Sequence, residues 1–282
     1  MTQIKPLEGM MTPRFADIAT FFRLPVIKDL SKLDYCICGV PWDGGTTNRP
    51  GARHGPREIR NSSSLVRLYH PRSLKSPYDT FNVADIGDCP VNPADLQDSL
   101  LKIENFYNKI LQSKTIPISI GGDHLVSLPV LRALAKNKPV GLFQFDSHTD
   151  TYDTYFGGFK YTHGTPFRRA IEENLIDPKK YIMLGIRGSL YHPDDLNWAR
   201  EQGVTIITID DFHEMGFNKV IDTIYKVLGD VSTYLTFDID GIDCTYAPGT
   251  GTPEVGGFTV RESQTIIRAL NKINFIGADV VE

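Results

Sequence analysis

Apolar positions along the chain follow two periods. Short runs rich in β-branched and aromatic residues recur at Tyr35–Val40, Phe81–Ile86, Ile116–Ile120, Val140–Phe145, Tyr181–Ile186, Val204–Ile209, Thr233–Phe237 and Phe275–Val281. Their length and flanking turn residues mark them as strands. Between them, Asp95–Gln112 carries Leu96, Leu100, Ile103, Phe106, Ile110 and Leu111 on one stripe, which predicts an amphipathic helix lying on a sheet. Leu128–Ala135, Phe167–Asn174, Pro193–Glu201, Phe217–Leu228 and Val260–Leu270 have similar spacing. Apolar strands alternating with helices are the pattern of a parallel sheet covered on both faces, so the expected fold is α/β with about eight strands. No repeat, low-complexity tract or linker interrupts the pattern, and residues 1–282 are expected to form one domain.

Composition narrows the partners more than the fold. With 41% hydrophobic and 23% charged residues the chain can build a large core, and it has no excess of apolar sequence. A formal charge of -4 supplies no attraction for nucleic acid or an anionic membrane. Cys36, Cys38, Cys89 and Cys244 are too scattered for a disulfide framework and read as thiols in a reducing compartment. The first residues, MTQIKPLEGMMTPRF, lack the features of a signal peptide, and no apolar stretch reaches membrane-spanning length, so the expected location is cytoplasmic.

Candidate chemistry sits where ligands collect in open α/β folds, outside the carboxyl ends of strands. GGDH (Gly121 to His124) follows the third predicted strand, DSHTD (Asp146 to Asp150) the fourth, and DIDGID (Asp238 to Asp243) the seventh. Asp146, His148 and Asp150 alternate, as do Asp238 and Asp240, so extended strand ends would present each group on one side. Each cluster alone has an ordinary reading, a helix-capping aspartate or a solvated loop. Together, His124, Asp146, His148, Asp150, Asp238 and Asp240 put four carboxylates and two imidazoles in one place. Such a charge cannot stay ionised and half buried without cations, and two divalent ions would neutralise it. A carboxylate-rich set without thiolate favours manganese or magnesium over zinc, with nickel and cobalt open. These residues alone predict a two-metal hydrolase.

The motifs GGDH, FDSHTD, THGTPF and TFDIDGIDCTYAPGTGTPEVGG resemble, in order, those of the ureohydrolase family, which includes arginase and agmatinase. PRFADIATFFRLP (Pro13 to Pro25), GVPWDGGTTNRPGARHGPREIR (Gly39 to Arg60) and GIRG (Gly185 to Gly188) resemble its agmatinase branch. The resemblance implies a three-layer α/β/α domain with eight parallel strands, residues 1–30 forming an extension at the surface or an oligomer contact. It implies two Mn2+ ions, with Ni2+ or Co2+ as alternatives: one held by His124, Asp146, Asp150 and Asp238, the other by Asp146, His148, Asp238 and Asp240. A metal-bridging hydroxide would then attack a guanidino carbon, releasing urea and an amine. Asp150 would take the hydroxide's proton, His163 would shuttle protons and contact substrate, and Glu282 would pair with the substrate guanidinium. The family continues past this glutamate with a helix, so an eighth strand ending at Glu282 is expected to be poorly anchored. Trimers or hexamers are implied as well.

Other positions have quieter readings. Ala247 to Gly257 is Gly-rich but lacks the lysine of a phosphate-binding loop, and reads as a tight loop shaping the site and touching an oligomer partner. Asp243 resembles a structural residue of its loop, with Cys244 where the family has proline. His54, His70, His192 and His213 have no ligand spacing. Among substrates arginine is disfavoured, because the family's Asn-containing segment is missing from TYDTYFGGFKYTHG (Thr151 to Gly164). Agmatine, giving putrescine and urea, is placed first, ahead of guanidinobutyrate, guanidinopropionate and guanidine. Asp153 could meet an ammonium and Lys160 a carboxylate, although both read first as solvated loop charges. The readings from other classes are an amide-cleaving deacetylase on the related fold and a non-catalytic metal-binding relative.

Overall fold

A computed structural model describes residues 4–282. The strands are β1 (Tyr35–Gly39), β2 (Val83–Asp88), β3 (Ile116–Ile120), β4 (Val140–Phe145), β5 (Ile176–Ile186), β6 (Thr205–Thr208), β7 (Thr233–Asp238) and β8 (Phe275–Val281). They form one eight-stranded sheet in the order β2-β1-β3-β8-β7-β4-β5-β6, with every pairing parallel. The helices are α1 (Gly55–Ser62), α2 (Leu96–Gln112), α3 (Ser127–Leu134), α4 (Pro166–Glu172), α5 (Asn197–Gln202), α6 (Ile209–Met215), α7 (Phe217–Leu228) and α8 (Val260–Ala269).

Side-chain alternation along the strands makes the three layers. Leu142, Tyr181 and Met183 point into a core shared with Leu100 and Ile103 of α2, Leu131 of α3 and Phe167 of α4. Phe143, Phe145, Ile182 and Leu184 point the other way, onto Phe212 of α6, Val220 and Ile224 of α7 and Ile266 of α8. A one-residue slip in any of these strands would exchange the two cores, which is why burial on both faces fixes register. The expected α/β/α architecture is therefore present.

Several boundaries differ from the periodic reading. Helix α1 begins at Gly55–Pro56 inside a motif read for its resemblance, although a proline in the first turn is a helix-start signal. Helix α6 takes Ile209 from the predicted sixth strand because Thr208 and Asp211 form a capping box that starts a helix there. Strand β5 reaches back to Ile176, and its ladder with β4 is interrupted between the Ile176 and Tyr181 pairings, across Asp177, Pro178, Lys179 and Lys180. The N-terminal segment is only partly a surface extension. Met10 and Phe15 are exposed, but Phe21 and Leu24 are buried, and Val26 bridges to Asp85 of β2. Among the described residues no helix is long and apolar enough to cross a membrane.

The topology delivers the chemistry to one place. GGDH follows β3, Glu282 follows β8, DID closes β7 and DSHTD follows β4, and these four strands are neighbours in the order β3-β8-β7-β4.

Candidate metal centre

His124 sits in the short turn after β3, with Asp123 capping that turn through Leu125 N–H at 3.1 Å. The ordinary reading of GGDH thus applies to its aspartate, while the histidine is left free for other work. Gly122 is required here: a Cβ at this position would lie 1.5 Å from the Trp42 carbonyl oxygen. His124 Nδ1 faces three carboxylate oxygens, Asp146 Oδ2 at 3.1 Å, Asp150 Oδ2 at 2.9 Å and Asp238 Oδ2 at 3.1 Å. Asp146, His148 and Asp240 form a second group of potential ligands next to it. Asp238, expected in both sets, converges with the first alone.

The alternation argument for DSHTD is corrected by the backbone. Strand β4 ends at Phe145, and the five residues after it turn. Asp150 takes a left-handed conformation at φ 51°, a region that residues other than glycine rarely occupy. The turn folds Asp146 and Asp150 towards His124 and leaves His148 on the Asp240 side, with its Nδ1 3.0 Å from Asp240 Oδ2. Asp238 is the last residue of β7, and Asp240 lies in the following turn, its N–H donating to Asp238 Oδ1 at 2.8 Å.

Hydrogen atoms decide whether these residues fit a metal. Thr236 has one hydroxyl hydrogen, which it donates to Asp279 Oδ1 at 2.6 Å. Its oxygen, 2.7 Å from His124 Nε2, must therefore accept from that ring nitrogen, which places the ring proton on Nε2. Nδ1 is then a buried lone pair with no hydrogen-bond partner, aimed at three carboxylate oxygens. Lone pairs converging in a buried site repel one another unless a cation lies among them, so the donor set fits a divalent metal. Asp279 completes the support by accepting from Ser127 at 2.6 Å and Tyr234 at 2.7 Å. On the other side, Gln144 donates to Asp146 Oδ2 at 2.7 Å while Tyr181 donates to Gln144. Such outer contacts orient metal ligands.

The electrostatics agree. Burial and the neighbouring Asp150 and Asp240 push the Asp146 carboxyl up to about 7. Burial, with Asp240 and Asp146, drives Asp238 well above the usual carboxylate range. Burial disfavours charge on His124, but Asp146, Asp150 and Asp238 outweigh it and raise the ring's proton affinity well above the ordinary value. For His148 burial is again outweighed, chiefly by Asp240, and the ring rises to about 10. Without metals, protons take the place of cations.

The second half of the site is a cavity of about 460 Å³ lined by His148, Asp150 and Asp238 together with His163 and Glu282. His163 Nδ1 lies 2.8 Å from Glu282 Oε1; burial opposes a charged ring, but Glu282 prevails and raises it to about 9. Glu282 is not loosely held. Its N–H donates to Gly122 O at 2.9 Å and its Oε1 also accepts His124 N–H at 2.8 Å. Its Oε2 has no partner among the described residues. Tyr152, Tyr155 and Tyr191 form one wall, in edge-to-face contact with one another. Thr252 and Glu254, from the Gly-rich loop, form another wall, and Arg49 is the one Lys or Arg in the lining. Asp243 accepts four hydrogen bonds from Thr245, Gly256 and Gly257 within its loop and stays out of the cavity. Asp153 is paired with Arg169 at 2.9 Å and, like Lys160, lies outside the lining. His54, His192 and His213 are exposed and His70 half-buried; among the described residues none of the four joins a ligand group or lines this cavity.

Residues 33–282 match the model of the Arginase family. The chain belongs to that family. A guanidinopropionase from Pseudomonas aeruginosa is 53% identical over 278 residues, covering 99% of this chain and 87% of the relative. A mitochondrial agmatinase from Gallus gallus is 41% identical over 278 residues, covering 98% and 82%. Among solved structures, the proclavaminate amidino hydrolase from Streptomyces clavuligerus superposes with a TM-score of 0.91 at 38% identity, covering 96% of this chain and 90% of that one. This arginase-family member is a hydrolase of guanidino compounds with a His/Asp metal-binding cluster.

The periodic reading passed over Gln144, Thr236 and Asp279, which position the ligands. Gln144 and Asp279 carry a signal, each being the one polar side chain of an otherwise apolar strand, whereas Thr236 shares its strand with Thr233 and Asp238. Thr47 and the three tyrosines had no such signal: they come from loops, and only the folded chain brings them to the cavity.

Proposed function

We propose that this enzyme hydrolyses a short ω-guanidino acid, 3-guanidinopropanoate first, to urea and the corresponding amino acid, using two manganese ions. The observation that carries this reading is the 53% identity to a guanidinopropionase, against 41% to an agmatinase. Two features of the structure support it. Asp153, which could have met agmatine's ammonium, is paired with Arg169 outside the cavity, and the cavity's guanidinium, Arg49, has backbone carbonyl partners and no carboxylate partner among the described residues. Agmatine, first in the sequence reading, becomes the second reading, favoured by the Glu254 carboxylate in the cavity wall.

His124, Asp146, Asp150 and Asp238 would hold one ion, and Asp146, His148 and Asp240 the other. Bound there, the pair would supply Lewis acidity and a water acidic enough to act as nucleophile near neutral pH. The chain's own groups do the rest. Glu282 Oε2, left free by the contacts to Oε1, orients the planar guanidinium through a charge-assisted hydrogen bond. Asp150, in the cavity floor, takes the nucleophile's proton. His163, fixed against Glu282, gives a proton to the departing amine nitrogen, without which that nitrogen is a poor leaving group. The tyrosine wall excludes water from the methylene chain.

The test is urea release from 3-guanidinopropanoate, 4-guanidinobutanoate, agmatine, guanidine and arginine by manganese- and nickel-loaded protein. The highest kcat/KM is expected for 3-guanidinopropanoate. A higher value for agmatine would select the second reading, and no urea from any of the five would sink both. Assembly into trimers or hexamers and a cytoplasmic location remain part of the proposal, checked by sedimentation and by fractionation.

A further inference from the structure

Thr47 approaches His163 from the side opposite Glu282. Its backbone N–H and its hydroxyl both reach His163 Nε2, at 3.1 Å and 2.7 Å. A backbone N–H can only donate, so Nε2 must present a lone pair to it. The neutral ring then carries its proton on Nδ1, where Glu282 accepts it at 2.8 Å. We propose that Thr47 is a positioning residue for His163: its N–H fixes the Nδ1–H tautomer, and its hydroxyl serves Nε2 as donor when the ring is neutral and as acceptor when the ring is protonated. This inference rests on the proton-donating role given to His163 above.

The placement of Thr47 is built by residues that the metal site leaves unused. Asp123, beside the ligand His124, accepts Gly45 N–H through Oδ2 at 2.6 Å, and Gly45 O accepts His163 N–H at 2.9 Å. A Cβ at Gly45 would stand 2.9 Å from Asp123 Oδ2 and 3.1 Å from the His163 nitrogen, so the loop comes this close only with glycine. The Asp-Gly-Gly-Thr-Thr run from Asp43 to Thr47 is thereby held against the histidine, with Thr47 lining the cavity beside it. The hydroxyl matters because the N–H alone cannot serve both states. A protonated Nε2 facing only a backbone N–H would place two donors against each other.

The experiment compares wild type, Thr47→Val and Thr47→Ser. Long-range 1H–15N NMR of zinc-loaded, 15N-histidine-labelled protein reads the tautomer, and urea release from manganese-loaded protein with the preferred guanidino substrate reads kcat and KM. The neutral His163 ring is expected to carry its proton on Nδ1. Thr47→Val should lower kcat by about tenfold or more with KM within about twofold and metal content unchanged, and Thr47→Ser should recover kcat to within about threefold. A merely structural Thr47 would tolerate the equally sized valine, so kcat of Thr47→Val within about twofold of wild type overturns the proposal. An Nε2–H ring in the wild type also overturns it. An Nδ1–H ring in a protein that releases no urea from any guanidino compound would sink the proposed reaction while leaving the tautomer assignment standing.

Discussion

Replacing Thr236 by valine keeps the shape of strand β7 and removes one oxygen from the line His124–Thr236–Asp279. The three residues are 0%, 0% and 1% exposed, so no water replaces what is lost. Two hydrogen bonds disappear, of 2.7 Å and 2.6 Å, leaving His124 Nε2–H without an acceptor and Asp279 Oδ1 short of a donor. Each buried polar group left unpaired costs about 1–3 kcal/mol, so metal-free Thr236→Val should lose roughly 2–6 kcal/mol of stability. That corresponds to a fall in melting temperature of roughly 4–24 °C for a chain of this size. The functional effect is separate. Without an acceptor at Nε2 the ring proton can move to Nδ1 and stand where the metal belongs, which should weaken the first metal by about 10–100-fold. Calorimetry on metal-free protein reads the first quantity, and competition with a chelator reads the second. A variant that melts within about 2 °C of wild type and binds both ions within about threefold of wild type would refute the reasoning about the His124 tautomer.

Further consequences can be checked on the same preparation. Asp146→Ala, which strips an oxygen donor from both ligand groups, should lose both ions, whereas His148→Ala should lose one; metal analysis after gel filtration distinguishes them. His163→Ala should lower kcat by about 100-fold or more with metal content nearly intact, and loss of both ions in this variant would remove His163 from its proposed role. Asp85 gives a pH dependence away from the metals. Its burial is outweighed by Arg60 at 2.8 Å and by the N–H groups of Gly87 and Phe21, so its carboxyl lies below the ordinary value. A depressed carboxyl contributes stability that is complete above about pH 4 and is lost as pH falls through the lower folded value. Asp85→Asn, which cannot titrate, should therefore show a flatter melting-temperature profile than wild type between about pH 4 and pH 2.

The parts of this molecule legible in the sequence are those written in periodicity. Two cores on one sheet favour apolar residues on both faces of a strand, as Val140–Phe145 shows at every position but Gln144, and the amphipathic stripe of Leu96–Gln112 follows from its single buried face. The helices missed, Gly55–Ser62 and Ile209–Met215, are short and are specified by end signals, a proline in one and a Thr208–Asp211 box in the other. At the site, ligand-type residues at strand ends could be grouped because strand ends are where the chain delivers them. Their division between two ions could not be read from alternation, because Asp150 leaves the strand through a left-handed turn. The supporting contacts of Asp279 and Thr47 join segments far apart in the chain, and only the strand order brings them together.

The most direct test of the central claim is anomalous diffraction at the manganese edge from crystals of the manganese-loaded protein. Two peaks per chain are predicted, one among His124 Nδ1, Asp146, Asp150 and Asp238, and the other among Asp146, His148 and Asp240. A single peak, or manganese bound elsewhere with His124 Nδ1 facing the three carboxylates unchanged, would contradict the account.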